Sequence, residues 1–87
     1  MLLMNNNIFT LRELAQAMRS ERKALGFTQA DLAKKAGLRR ETIIQLEAGE
    51  NISAHTLLQT ISALGKCLSI NDARLDYDQL KEAFSEI

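Results

Sequence analysis

From Leu11 to Gly65 apolar residues return every three or four positions, and each run breaks at an isolated glycine, so the pattern predicts a series of short amphipathic helices. Thr10 opens the first. Glu13 follows three residues later, as a capping box requires, and Phe9 and Leu14 occupy the two positions of a hydrophobic staple. Leu11, Leu14, Ala15, Met18 and Leu25 form one stripe with Arg22 inside it, and Gly26 ends the helix. Thr28 caps a second helix over Gln29–Ala36, with Asp31 in the first turn where the helix dipole favours an acid. Its inward residues are Leu32, Ala33 and Ala36, and Gly37 suits the left-handed residue that closes it. A third helix, from about Arg39 to Ala48, turns Ile43, Leu46 and Glu47 inward and stops at Gly49. Ser53 caps a fourth, which carries Leu57, Leu58, Ile61 and Leu64 to Gly65.

Beyond Gly65 the period changes. Leu68 and Ile70 alternate with Cys67 and Ser69, which predicts a short strand over Cys67–Asn71. Tyr77, Leu80, Phe84 and Ile87 then predict a C-terminal helix. Residues 1–9 start apolar, pass through three asparagines and show no period, as expected of a loose arm. The expected architecture is all-α: five helices and one short strand. It divides into the arm (1–9), a helical domain (10–65), and a strand with a last helix (66–87).

Composition narrows the class. Absence of proline, only four glycines and few aromatics in 87 residues favour one helical domain. A lone cysteine cannot form an internal disulfide, so a reducing cytoplasm is the expected location, and Cys67 reads as a small buried apolar residue. The opening "MLLM" is too short for a signal segment, and no apolar run is long enough for a membrane span. His55 has no carboxylate or thiol at ligand spacing and reads as a surface residue. No catalytic group, metal site or cofactor loop is visible, so a non-enzymatic role is expected.

The net charge of zero hides a polarised chain. Arg12 to Arg40 holds eight basic residues against three acids, net +5, whereas Glu41 to Ile87 is net −5. One half can therefore meet phosphate while the other meets something else.

The second and third helices carry the most specific pattern. Counted from Gln29, the apolar positions four, eight, ten, fifteen and eighteen are Leu32, Ala36, Leu38, Ile43 and Leu46. Small Ala33 stands at position five and Gly37 at nine, where two steeply crossing helices approach and the chain turns. With Thr28-Gln29 before it and "LEAG" after it, the unit resembles the lambda-repressor-like (Xre/Cro) helix-turn-helix family over roughly Leu11 to Gly65. "LAQAMRSERKALGFTQADLAKKAG" and "ALGKCLSIND" are most similar to HipB-type antitoxins. The resemblance implies operator binding by the third helix and a homodimer in which the strand pairs with its twin. It also implies a toxin partner, a HipA-like kinase being favoured over an RNase.

On that expectation Arg39, Arg40, Glu41, Ile44 and Gln45 lie on the outer part of the third helix, where base edges are met. Arginine suits guanine, glutamine suits adenine, and Ile44 suits a thymine methyl group. Glu41 repels phosphate unless it accepts from cytosine or pairs with Arg40, and Ile44 has an alternative as a packing residue against helix 2 or 4. Gln29 opens the second helix, where amides favour a phosphate. Lys34 and Lys35 read as solvated or non-specific charges, and Glu50 and Asn51 as a weak backbone contact. Arg22, a charge on an apolar stripe, needs a partner, and relatives with this pattern bridge it to Glu47. Leu68 and Ile70 are the expected dimer contacts, the alternative being that "CLSIN" folds back on its own domain. A protein-interaction module without operator binding is the competing reading.

Overall fold

The computed structural model describes residues 7–73, which hold four helices: α1 (Leu11–Ala24), α2 (Gln29–Ala36), α3 (Arg40–Glu47) and α4 (Ala54–Ala63). Their starts follow from local chemistry. At α1 the Thr10 hydroxyl accepts from the Glu13 amide at 3.0 Å, and the Glu13 carboxylate accepts from the amides of Thr10 and Phe9 at 3.1 and 2.8 Å. At α2 Asp31 closes the same reciprocal box with Thr28, at 3.0 and 2.9 Å. Hydrogen bonding from the Thr28 amide, and after it from the Thr28 hydroxyl, holds the Asp31 carboxyl below the ordinary carboxylate range. The Ser53 hydroxyl caps α4 by accepting from the Thr56 amide. Arg39 stands before α3 without a side-chain cap.

α2 packs against both α3 and α4, and α3 also against α1. Leu32 and Ile43 lie fully buried at the crossing, with Met18, Ala33, Leu46, Ile61, Ala63 and Leu64 around them. Burying each of the two large side chains contributes roughly 1.5–3 kcal/mol. Leu14, Ala36, Leu38, Ile52 and Leu57 close the rim.

Several expectations need correction. Leu11 and Leu25 lie at the ends of the α1 stripe and are exposed, because the buried part of α1 is its middle, at Ala15, Met18 and Arg22. Leu58 is half exposed: α4 turns Thr60, Ile61 and Ala63 to the core, and Leu58 points off that arc. Cys67 is exposed rather than buried, as are all the residues from Gly65 to Ala73. Residues 67–73 take no regular secondary structure, and no strand occurs among the described residues. The expected C-terminal helix, with Tyr77, lies outside them. His55 is on the surface. Among the described residues no helix is long and apolar enough to cross a membrane, and no group of side chains could hold a metal.

Candidate nucleic-acid interface

The steep turn between α2 and α3 is made by one residue. Gly37 takes φ 72° and ψ 32°, its amide donates to the Lys34 carbonyl at 3.2 Å, and the next amide, on Leu38, reaches back to the Ala33 carbonyl at 2.8 Å. This pair of bonds satisfies carbonyls that the helix end would otherwise orphan. A Cβ at Gly37 would meet nothing within 4 Å, so the requirement for glycine is conformational and not steric. Leu38 then drops against the core and α3 begins at Arg40.

The inner face of α3 is held by Ile43, Leu46 and an ion pair. Arg22 of α1 donates from Nε to Glu47 Oε2 at 2.6 Å and from Nη2 to Glu47 Oε1 at 3.0 Å, while Nη1 donates to the Phe27 carbonyl at 2.8 Å. Both side chains are almost entirely buried, 9% and 4% exposed. The hydrogen bonds it donates to Glu47 raise the Arg22 pKa above its ordinary value against the opposing effect of burial, so the guanidinium stays charged. Gln29 adds a third tie, its amide donating to Glu47 Oε1 at 3.2 Å. One carboxylate thus joins α1, α2 and α3. The planar fork of arginine matches a carboxylate in two parallel bonds, which fixes the rotation of α3 about its axis.

That rotation decides what faces outward. Arg39, Arg40, Glu41, Ile44 and Gln45 are all exposed. Ile44, 39% exposed, lines an open cleft of about 720 Å³ with Arg40, Thr28, Gln29, Ala30 and Arg19. Glu41 makes no ion pair among the described residues, with Arg40 or otherwise. Lys34 and Lys35 are exposed, and the Lys35 ammonium sits 5.8 Å from the centre of the Phe27 ring. Glu50 and Asn51 are exposed beyond α3. Leu68 and Ile70 stand away from this face, in a separate cleft that also has Ile8, Phe9 and Leu14 in its walls.

Two placements at this face go beyond what the sequence specified. Gln29, expected at a phosphate, also anchors Glu47. Arg19 entered only as part of the basic count, although it lies one turn before Arg22 and therefore near the face that α1 turns to α3.

Comparison with known proteins agrees with this geometry. The helix-turn-helix family profile matches residues 18–67. The antitoxin HipB of Escherichia coli O6:H1 is 34% identical over 68 residues, covering 77% of this chain and 72% of that protein. The E. coli K12 HipB is 32% identical, covering 77% of each. Among solved structures, a HipB complex with an O4 20mer superposes with a TM-score of 0.74 at 32% identity, covering 78% of this chain and 97% of that one. A HipA–HipB–O2–O3 complex gives the same TM-score at 30% identity, with the same coverage.

Proposed function

The chain belongs to the helix-turn-helix family, and on that premise we propose that it is a dimeric repressor that binds an inverted-repeat operator and serves as the antitoxin of a toxin–antitoxin pair. At the coarser level it is a DNA-binding regulator of the HipB antitoxin type. The observation that carries the finer reading is the division of α3: Ile43, Leu46 and the bridged Glu47 face inward, while Arg40, Glu41, Ile44 and Gln45 face solvent. An outward isoleucine beside two residues suited to base edges has a physical purpose when the face enters a major groove. Arg39 sits at the start of the same helix. Gln29, at the start of α2, is placed to bring backbone amides to a phosphate, which positions the protein without specifying sequence.

The toxin we favour is a HipA-like kinase, supported by relatives of the HipB type, one of them solved together with HipA. The dimer is supported by the exposure of Leu68 and Ile70 on a stretch whose backbone has no ladder within the described residues. The competing reading, a partner-binding module without an operator, draws on Glu41, which has no ion pair among the described residues, and on the zero net charge.

Fluorescence anisotropy with duplexes from the region upstream of the protein's own gene, against random duplex, separates the two across a salt series. A repressor prefers one inverted repeat, with half-site centres about 34–36 Å or a multiple apart, and loses affinity steeply with salt. Equal and salt-insensitive binding to both duplexes would leave the interaction module as the function.

A further inference from the structure

α1 lies outside the helix-turn-helix unit, yet Arg19 stands in the wall of the same cleft as Arg40 and Ile44. The two arginines come from separate helices, are both exposed, and form no ion pair among the described residues. The cleft also holds a carboxylate, which would ordinarily cancel one of them. Here both oxygens of Glu47 accept hydrogen bonds from Arg22, and one of them also accepts from Gln29. Because Arg22 and Glu47 neutralise each other, the cleft carries an excess of two positive charges. Ala30 adds only a methyl group to the wall, and Thr28 adds a hydroxyl.

We infer that Arg19 of α1, with Arg40 of α3, clamps a single backbone phosphate of DNA beside the bases that α3 meets. This rests on the operator-binding reading and extends the interface onto a third helix. The occupant is an anion: the wall is cationic, and its neutralised carboxylate offers it no repulsion. The anion is a phosphodiester because the cleft opens directly onto the outer face of α3, so a duplex seated there brings its backbone past Arg19. The clamp is sequence-independent. Arg19 positions the protein, and Arg40 serves both the phosphate and the edge of the base-reading face.

The test is a salt titration of binding by the full chain and by Arg19→Ala, Arg19→Gln and Arg19→Lys, each on operator and on random duplex. The expected result for Ala and Gln is a drop in affinity on the order of tenfold on both duplexes, since a charge-assisted bond is removed in each protomer. The slope of log affinity against log salt should fall by roughly one for each phosphate no longer neutralised, and Arg19→Lys should keep it. Melting temperature should not move, because Arg19 is exposed. Unchanged affinity and slope in Arg19→Ala, with the unmutated protein binding normally, would overturn the clamp and leave the α3 reading intact. A drop confined to the operator would also overturn it, since the residue would then be reading sequence. Absence of DNA binding by the unmutated protein would remove the operator reading itself, a separate and distinguishable failure.

Discussion

The two ends of the molecule are finished to different degrees. In the α2–α3 unit Leu32 and Ile43 are fully buried, and no buried side-chain nitrogen or oxygen lacks a hydrogen bond among the described residues. In the stretch from Cys67 to Asn71 Ile70 is fully exposed, Leu68 is 52% exposed and the backbone joins no sheet among the described residues. One region satisfies itself from within a single chain. The other presents exposed apolar side chains on a backbone that joins no described ladder, as an edge proposed to pair with a second copy would. Ile8 and Leu11 add two more exposed apolar side chains, which no described element covers. On the proposed reading the crossing helices carry stability and the tail carries assembly, so the two should fail separately when mutated.

The largest effect is expected where the closed region is tied. Glu47→Ala strands the Arg22 guanidinium and removes the acceptor of Gln29, so it should cost roughly 3–5 kcal/mol of stability. For a domain of this size that lowers the melting temperature by more than about 10 °C. Glu47→Gln, which keeps the shape and one acceptor, should lose less. An unchanged melting temperature in Glu47→Ala would mean that the bridge contributes nothing in solution.

Ser69→Pro aims at the open region. Proline removes an amide donor from the middle of the expected strand, so sedimentation should show a monomer. Affinity for a full operator should drop at least about 100-fold towards that of a half-site, because linked binding is lost. Thermal unfolding of the helical body should persist at low concentration. A stable dimer with unchanged full-site affinity would place the interface elsewhere.

Smaller effects belong to the outer face of α3. Arg40→Ala or Gln45→Ala should each cost roughly 1–3 kcal/mol in operator binding, and Gln45→Ala should relax preference at one base pair per half-site. Gln29→Ala should weaken operator and random DNA alike, with a small loss of stability because its bond to Glu47 goes too. Equal losses on both duplexes for Gln45→Ala would count against base reading.

The smallest effect is a pH dependence at the α2 cap. The folded-state pKa of Asp31 is depressed, so its stabilising contribution is fully present above the unfolded value of about 3.9. As pH falls below that value the unfolded chain takes up the proton first, and the contribution is lost on approach to the folded pKa. Asp31→Asn should therefore flatten the acid limb of a melting curve series between about pH 5 and 3. An unaltered limb would assign acid sensitivity to other carboxylates.

The sequence by itself determined where helices start and stop, because those signals act over three or four residues. Thr10 with Glu13, Thr28 with Asp31, Ser53, and the glycines that end each helix are local arrangements that form wherever the chain goes. It also determined the helix-turn-helix spacing and the need of Arg22 for a partner, since a charge in an apolar stripe is conspicuous at any distance. Periodicity gives an angle around a helix axis and says nothing about what lies opposite. So the tertiary structure alone decided that Leu11, Leu25 and Leu58 escape the core, that Cys67 is exposed, and that Gln29 shares Glu47 with Arg22. It also put Arg19 and Arg40, 21 apart in sequence, in the wall of one cleft, because α1 and α3 are pinned together by one buried carboxylate.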